Sequence, residues 1–93
     1  MMVGSLFGFA YSKAALAFLE GLPVKLRKQI VGKVAALAND QHPPGSKMIR
    51  GMKDDEEKVY RIRSGDYRVL YAVRERPKHV VILDIDHRKD VYR

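Results

Sequence analysis

A chain of 93 residues, 46% hydrophobic and 31% charged with no cysteine, describes one small globular domain over residues 1–93 and excludes disorder, disulfides and thiolate metal sites. The formal net charge of +7 favours an anionic partner, whether nucleic acid, acidic protein or membrane surface, without choosing among them. No apolar run approaches the ~18 residues of a membrane span, and the first ten residues lack the basic and long apolar regions of a signal peptide, so a reducing cytoplasm and no membrane are expected.

Taken in chain order, Leu6 to Tyr11 alternates Phe7, Phe9 and Tyr11 and predicts a first strand. Ser12 has the chemistry of a helix N-cap. Ala15, Phe18, Leu19 and Leu22 then recur at helical spacing, so a short amphipathic helix runs to about Gly21. Pro23 opens a second helix whose apolar stripe is Leu26, Ile30, Val34 and Leu37. Lys25, Arg27, Lys28 and Lys33 lie off that stripe, and Asn39-Asp40 with His42-Pro43-Pro44-Gly45 ends it. The second half changes to a period of two. Lys47 to Met52 predicts a short strand, Lys58 to Ser64 and Tyr67 to Val73 a hairpin, and His79 to Asp86 a β-branched central strand covered on both faces. The order β-α-α-β-β-β-β implies an α+β fold, an N-terminal strand and two-helix hairpin packed on a largely antiparallel sheet. The acidic run Asp54-Asp55-Glu56-Glu57 reads as a solvated loop, and His87 to Arg93 as a short basic tail.

The hairpin carries the chemistry. Gly65 stands at the first central position of a two-residue loop, where a type II′ turn needs positive φ. That turn sets Arg63 opposite Arg68, Ile62 opposite Val69 and Arg61 opposite Leu70. Opposed residues share a side and sides alternate, so Arg61, Arg63 and Arg68 share one face, and Tyr60, Ile62, Val69 and Tyr71 the other. Three converging guanidiniums repel one another unless an anion sits among them, and arginine's planar donor fork suits phosphate. The plainer reading of such a strand is a solvated basic surface.

Other chemistry is weakly represented. His42, His79 and His87 lack ligand spacing, and Asp84 and Asp86 beside His87 do not make a metal set, so no metal or other cofactor is expected. Gly45-Ser46-Lys47 lacks the preceding glycine of a P-loop. The segment Asp86 to Arg93 joins an imidazole, cations and the Tyr92 phenol at the end of the last strand. If it returns over the sheet, Arg88 and Tyr92 join the arginine face, with arginines stabilising charge on phosphate oxygens and tyrosine or histidine moving protons.

Taken together the chain resembles a RelE-type toxin of the RelE/ParE toxin–antitoxin superfamily. The resemblance rests on Tyr11-Ser12-Lys13-Ala14-Ala15, the helix break at Leu22-Pro23, the strand Met48-Ile49-Arg50-Gly51-Met52, the hairpin Tyr60 to Tyr71 and the ending Asp86 to Arg93. It implies a microbial-ribonuclease-like fold and a ribosome-dependent mRNA endoribonuclease. Such a toxin cuts A-site codons by attack of the 2′-hydroxyl on the adjacent phosphate, leaving a 2′,3′-cyclic phosphate and stopping translation. By position, Arg68 matches the family's transition-state arginine, Arg88 its basic residue after the last strand and Tyr92 its C-terminal tyrosine. His87 is a second candidate for proton transfer, and Arg61, Arg63, Arg50 and Lys53 are expected to bind RNA phosphates. Some members have lysines where Arg61 and Arg63 stand. Arginine keeps the phosphate contact but removes a candidate base, leaving proton transfer to Tyr92, His87 or ribosomal RNA groups. The implied partners are a cognate RelB-like antitoxin, the ribosome and its mRNA, with operator DNA bound by the toxin–antitoxin complex. The alternatives are a ParE-like inhibitor of DNA gyrase with the same fold, and a catalytically weak RNA-binding member.

Overall fold

The structure is a computed structural model, and it describes residues 8–75 and 78–87. Its elements are β1 (Gly8–Tyr11), α1 (Lys13–Glu20), α2 (Val24–Ala36), β2 (Lys47–Asp54), β3 (Glu57–Ser64), β4 (Tyr67–Glu75) and β5 (Lys78–His87). This is the predicted order. The sheet runs β1-β5-β4-β3-β2, with β1 parallel to β5 and every other pairing antiparallel. The run Val80-Val81-Ile82-Leu83 therefore lies on an interior strand, but β4 is the middle one. Only alternate residues of that run are fully buried, Val80 and Ile82, because the helices cover a single face of the sheet.

Both helices form as the apolar spacing requires. The Ser12 hydroxyl accepts from Ala15 N at 3.0 Å and donates to Leu83 O at 2.8 Å, so it caps α1 and ties the cap to β5. Pro23, with its fixed φ and no N–H to satisfy, sits at the N-cap of α2. Arg27 of α2 donates to Leu19 O and Leu22 O, both at 3.2 Å, and so satisfies one carbonyl in the last turn of α1 and one in the connection that follows it. Ala15 and Leu19 of α1, Ile30 and Val34 of α2 and Leu37 beyond it pack on Ile62, Val69, Tyr71, Val80, Ile82 and Ile85 of the sheet. The helix α2 stops at Ala36, short of the expected Asn39-Asp40. Gln41 reaches back there, donating to Leu37 O at 2.7 Å and Ala38 O at 3.2 Å.

Two features of the sheet differ from the sequence-based picture. The strand β2 extends to Asp54, so Asp55-Glu56 is a tight turn with φ of 55° and 72°. Its carboxylates are not simply solvated: Asp54 and Asp55 both pair with Arg74 of β4. The second feature is an irregularity between β4 and β5. Leu70 is opposite Asp84 while Tyr71 is opposite Ile82, so Leu83 is an extra residue on β5. A bulge of this kind shifts the alternation of everything beyond it. Ile82 and Ile85, three apart, both reach the core. Asp84 Oδ1 accepts from Ile85 N at 2.9 Å at the bulge, and the Ser12 contact to Leu83 O anchors its other side.

Candidate functional site

The β3–β4 hairpin has the predicted register: Arg63 faces Arg68, Ile62 faces Val69, Arg61 faces Leu70 and Tyr60 faces Tyr71. Gly65 has φ of +60°, and Asp66 is not in the left-handed region, as a type II′ turn requires. Ile62, Val69 and Tyr71 are core residues beneath the helices. Alternation therefore turns Arg61, Arg63 and Arg68 to the helix-free face. Arg63 is exposed, while Arg61 and Arg68 are half-buried. Arg61 Nε is buried and finds no hydrogen-bond partner among the described residues.

Several further charges join this face. Lys47 of β2 is directly opposite Arg61 and extends the cationic row. Arg74 follows Arg68 at even spacing on β4, so it shares the face, but Asp54 and Asp55 hold it. Their carboxylates raise its already high pKa, Asp55 foremost. Asp86 lies opposite Arg68 and Asp84 opposite Leu70, which puts two carboxylates on the arginine face. The arginines thus have resident counter-charges, and their convergence does not by itself demand a bound anion. The even spacing of Arg74 could have been read from the sequence. The placement of Asp84 and Asp86 could not, since simple alternation gives them the side of Ile82 and only the bulge transfers them.

The expected site residues do not all assemble. Arg61, Arg63 and Arg68 do. Lys53 pairs with Lys58, on the Tyr60 side of β3, and so belongs to the opposite face. Arg50 is exposed within the irregular stretch of β2 beside Gly51, whose φ is +80°. His87 is opposite Tyr67 and meets its ring edge-on at 5.0 Å. Tyr67 in turn touches Phe18 of α1, so His87 stands on the helix side of the sheet. Arg88 and Tyr92 lie outside the described residues. Beside Arg63, a largely apolar cleft of about 230 Å³ opens between Lys33 and Ala36 of α2, the Pro43-Pro44-Gly45 loop and Ile62.

On the helix side, Tyr71 is fully buried and donates to Gln41 O at 2.6 Å. Burial pushes its pKa up to about 12, and Tyr11 is raised for the same reason. The Tyr60 ring stacks on Tyr71 at 5.8 Å and His42 tilts onto Tyr60 at 4.4 Å, so this aromatic column secures the loop after α2. Among the described residues, no helix is long and apolar enough to cross a membrane.

Comparison with known proteins agrees with this architecture. No curated protein sequence matches the chain. Among solved structures, the archaeal RelE–RelB complex from Pyrococcus horikoshii has a similar chain at 26% identity and a TM-score of 0.74, over 89% of this chain and 96% of that one. The RelBE2 toxin–antitoxin complex of Mycobacterium tuberculosis matches at 25% identity and 0.66, over 89% and 99%. The isolated RelE toxin of E. coli shares the fold at 24% identity and 0.71, over 92% and 90%. Residues 9–92 match the family model described as ParE toxin of type II toxin-antitoxin system, parDE. The α+β fold is thus that of the matched RelE structures, and the chain belongs to the ParE toxin family within the RelE/ParE superfamily.

Proposed function

We propose that this toxin is a ribosome-dependent mRNA endoribonuclease. The observation that carries the reading is the row Arg61, Arg63 and Arg68 on the open face of the sheet, with Lys47 extending it. Arginine keeps its proton at any physiological pH, so these groups bind phosphate and stabilise charge rather than abstract protons. Attack of a ribose 2′-hydroxyl on the adjacent phosphate builds negative charge on the phosphoryl oxygens, and in this reading Arg68 meets that charge. The 2′-oxygen–phosphorus bond forms and the bond to the 5′-oxygen breaks. That oxygen takes up a proton from the acid formed when the base removed the 2′-hydroxyl proton or from water, and a 2′,3′-cyclic phosphate and a 5′-hydroxyl end remain. Tyr92 is the first candidate to take the 2′-hydroxyl proton. His87 is second, since its ring lies on the helix side among Tyr67 and its neighbours. Arg88 adds a cation after the last strand. Arg50 and Lys53 are left as peripheral contacts to RNA. The place of action is the cytoplasm, on translating ribosomes.

The partner is a RelB-like antitoxin, as in the complexes that the similar structures represent. The apolar cleft beside Arg63 and Lys33 suits an apolar helix carrying carboxylates. The paired proteins would bind operator DNA.

The test is primer extension on a translated mRNA after induced expression. Cuts within codons are expected, with Tyr92→Phe abolishing them and His87→Ala reducing them less. The opposite order moves proton transfer to His87, and loss from neither leaves it to ribosomal RNA. The family model bears the ParE name, which favours gyrase inhibition as the second reading. A DNA damage response with uncut mRNA would establish that reading over this one.

A further inference from the structure

We propose that Asp86 is a positioning residue for Arg68, a role that rests on the ribonuclease reading above. The two are direct cross-strand partners on the β4–β5 ladder, a relation that brings side-chain origins to ~5 Å on the same face. On the other side of Arg68 stands Arg63. The row Arg63–Arg68–Asp86 therefore crosses three strands, with a like charge on one flank of Arg68 and an opposite charge on the other. Both forces draw the Arg68 guanidinium toward β5.

Burial gives this arrangement its consequence. Arg68 Nε and Nη1 and Asp86 Oδ1 are shielded from solvent. A guanidinium stays charged when buried, so its inner edge needs compensating charge from the protein. Asp86 supplies that charge from the adjacent strand. A guanidinium has five N–H groups in a rigid plane, so the field of a carboxylate on the neighbouring strand biases where its outer edge points. That edge is the one a phosphate can reach. Asp84 does not share this role: it faces Leu70, and its Oδ1 accepts from Ile85 N. Among the described residues the remaining charges on this face are Arg61, Arg63, Lys47 and Glu57 and the Arg74 pair with Asp54 and Asp55, and none of them is Arg68's partner on β5. The bulge at Leu83 makes the arrangement possible, because without the extra residue Asp86 would stand on the core side of β5.

The experiment compares wild type, Asp86→Asn, Arg68→Ala and the double variant on mRNA-programmed ribosomes in single turnover. Asp86→Asn is expected to slow cutting ~10- to 100-fold with half-saturation unchanged, and the double variant to be no slower than Arg68→Ala. A wild-type rate for Asp86→Asn, a faster rate, or multiplicative losses in the double variant would overturn the proposal. Asp86→Glu, which keeps the charge, should recover part of the rate, and Asp84→Asn should stay near wild type. If Asp86→Asn fails to fold, the contrast of these two variants decides. A second readout is independent of cleavage: the Arg68 Nε–Hε NMR resonance, identified by its loss in Arg68→Ala. It should move in Asp86→Asn or Asp86→Glu and stay in Asp84→Asn, and an unmoved resonance overturns the positioning role. Wild type that cuts no mRNA would sink the ribonuclease reading alone, leaving the resonance to judge the pair.

Discussion

Arg68 has a different environment from its hairpin companion Arg63, although the two are opposite each other. Arg63 is exposed; Arg68 is half-buried, with two of its nitrogens shielded. On the proposed ribonuclease function, Arg68→Ala is expected to lower the cutting rate ~10²–10³-fold, the usual loss for a preorganised charge contact. Its effect on stability should exceed that of a fully exposed arginine. Cleavage assays paired with thermal unfolding separate the two, and an Arg68→Ala protein cutting at the wild-type rate removes Arg68 from the site. Tyr71 offers the contrasting case of a polar residue with a structural task. Tyr71→Phe removes the donor to Gln41 O and is expected to destabilise by ~1–2 kcal/mol, with specific activity of the folded protein unchanged. Its titration also has a definite sign. Burial raises the native pKa to about 12 from 10.0, so the stability associated with the neutral phenol is present below pH 10. That stability is lost as pH rises from there through the native value. In Tyr71→Phe the fall in stability between about pH 10 and 12 should be shallower than in wild type, measured by denaturant midpoints. An identical fall would mean that Tyr71 is not what governs it.

At the scale of elements, the two hairpins solve the same problem differently. Gly65 occupies φ +60° in the β3–β4 turn, with nothing within 4 Å of an added Cβ. Gly65→Ala should therefore cost about 1–2 kcal/mol of backbone strain without a clash. The β2–β3 turn instead places Asp55 and Glu56 at positive φ. Asp55 there pairs with Arg74, at 3.0 Å, whereas Glu56 has no such task among the described contacts. Glu56→Gly is expected to stabilise the protein by about 0.5–1 kcal/mol, a rise in Tm of roughly 2–8 °C for a domain of this size. Calorimetry on both glycine variants checks the pair, and a lower Tm for Glu56→Gly would show that its side chain makes a contact worth more than the strain.

For the whole molecule, the net charge of +7 is unevenly compensated. Arg74 is neutralised by the β2–β3 turn, and Arg68 faces Asp86, while Arg61, Arg63 and Lys47 form the less compensated end of the face. An acidic antitoxin segment should anchor there. Arg61→Ala and Arg63→Ala are each expected to weaken the complex several-fold at low salt and to flatten its salt dependence, because exposed charge pairs are screened over about 10 Å at 0.1 M. Affinities matching wild type across a salt series would make steric exclusion from the ribosome the better account of neutralisation.

How much of this was legible in the sequence depends on how local the cause is. The helices, their caps at Ser12 and Pro23 and the hairpin register follow from neighbouring residues: apolar spacing, a hydroxyl before a helix, a glycine where φ must be positive. The grouping of Arg61, Arg63 and Arg68 was readable for the same reason, since a two-residue turn dictates which residues oppose one another. The mixed pairing of the sheet, the Arg74 clamp and the composition of the far side of the arginine face were decided by tertiary structure. Asp84, Asp86 and His87 show why. Alternation alone leaves the aspartates on the core side with Ile82 and His87 on the other. One extra residue at Leu83, held by Ser12 from across the sheet edge and by Asp84's own carboxylate, exchanges their sides. Ile85 gains the core by that exchange, as its near-complete burial records. A period of two propagates any single insertion to every residue beyond it, and no property of Leu83 by itself announces where the insertion falls.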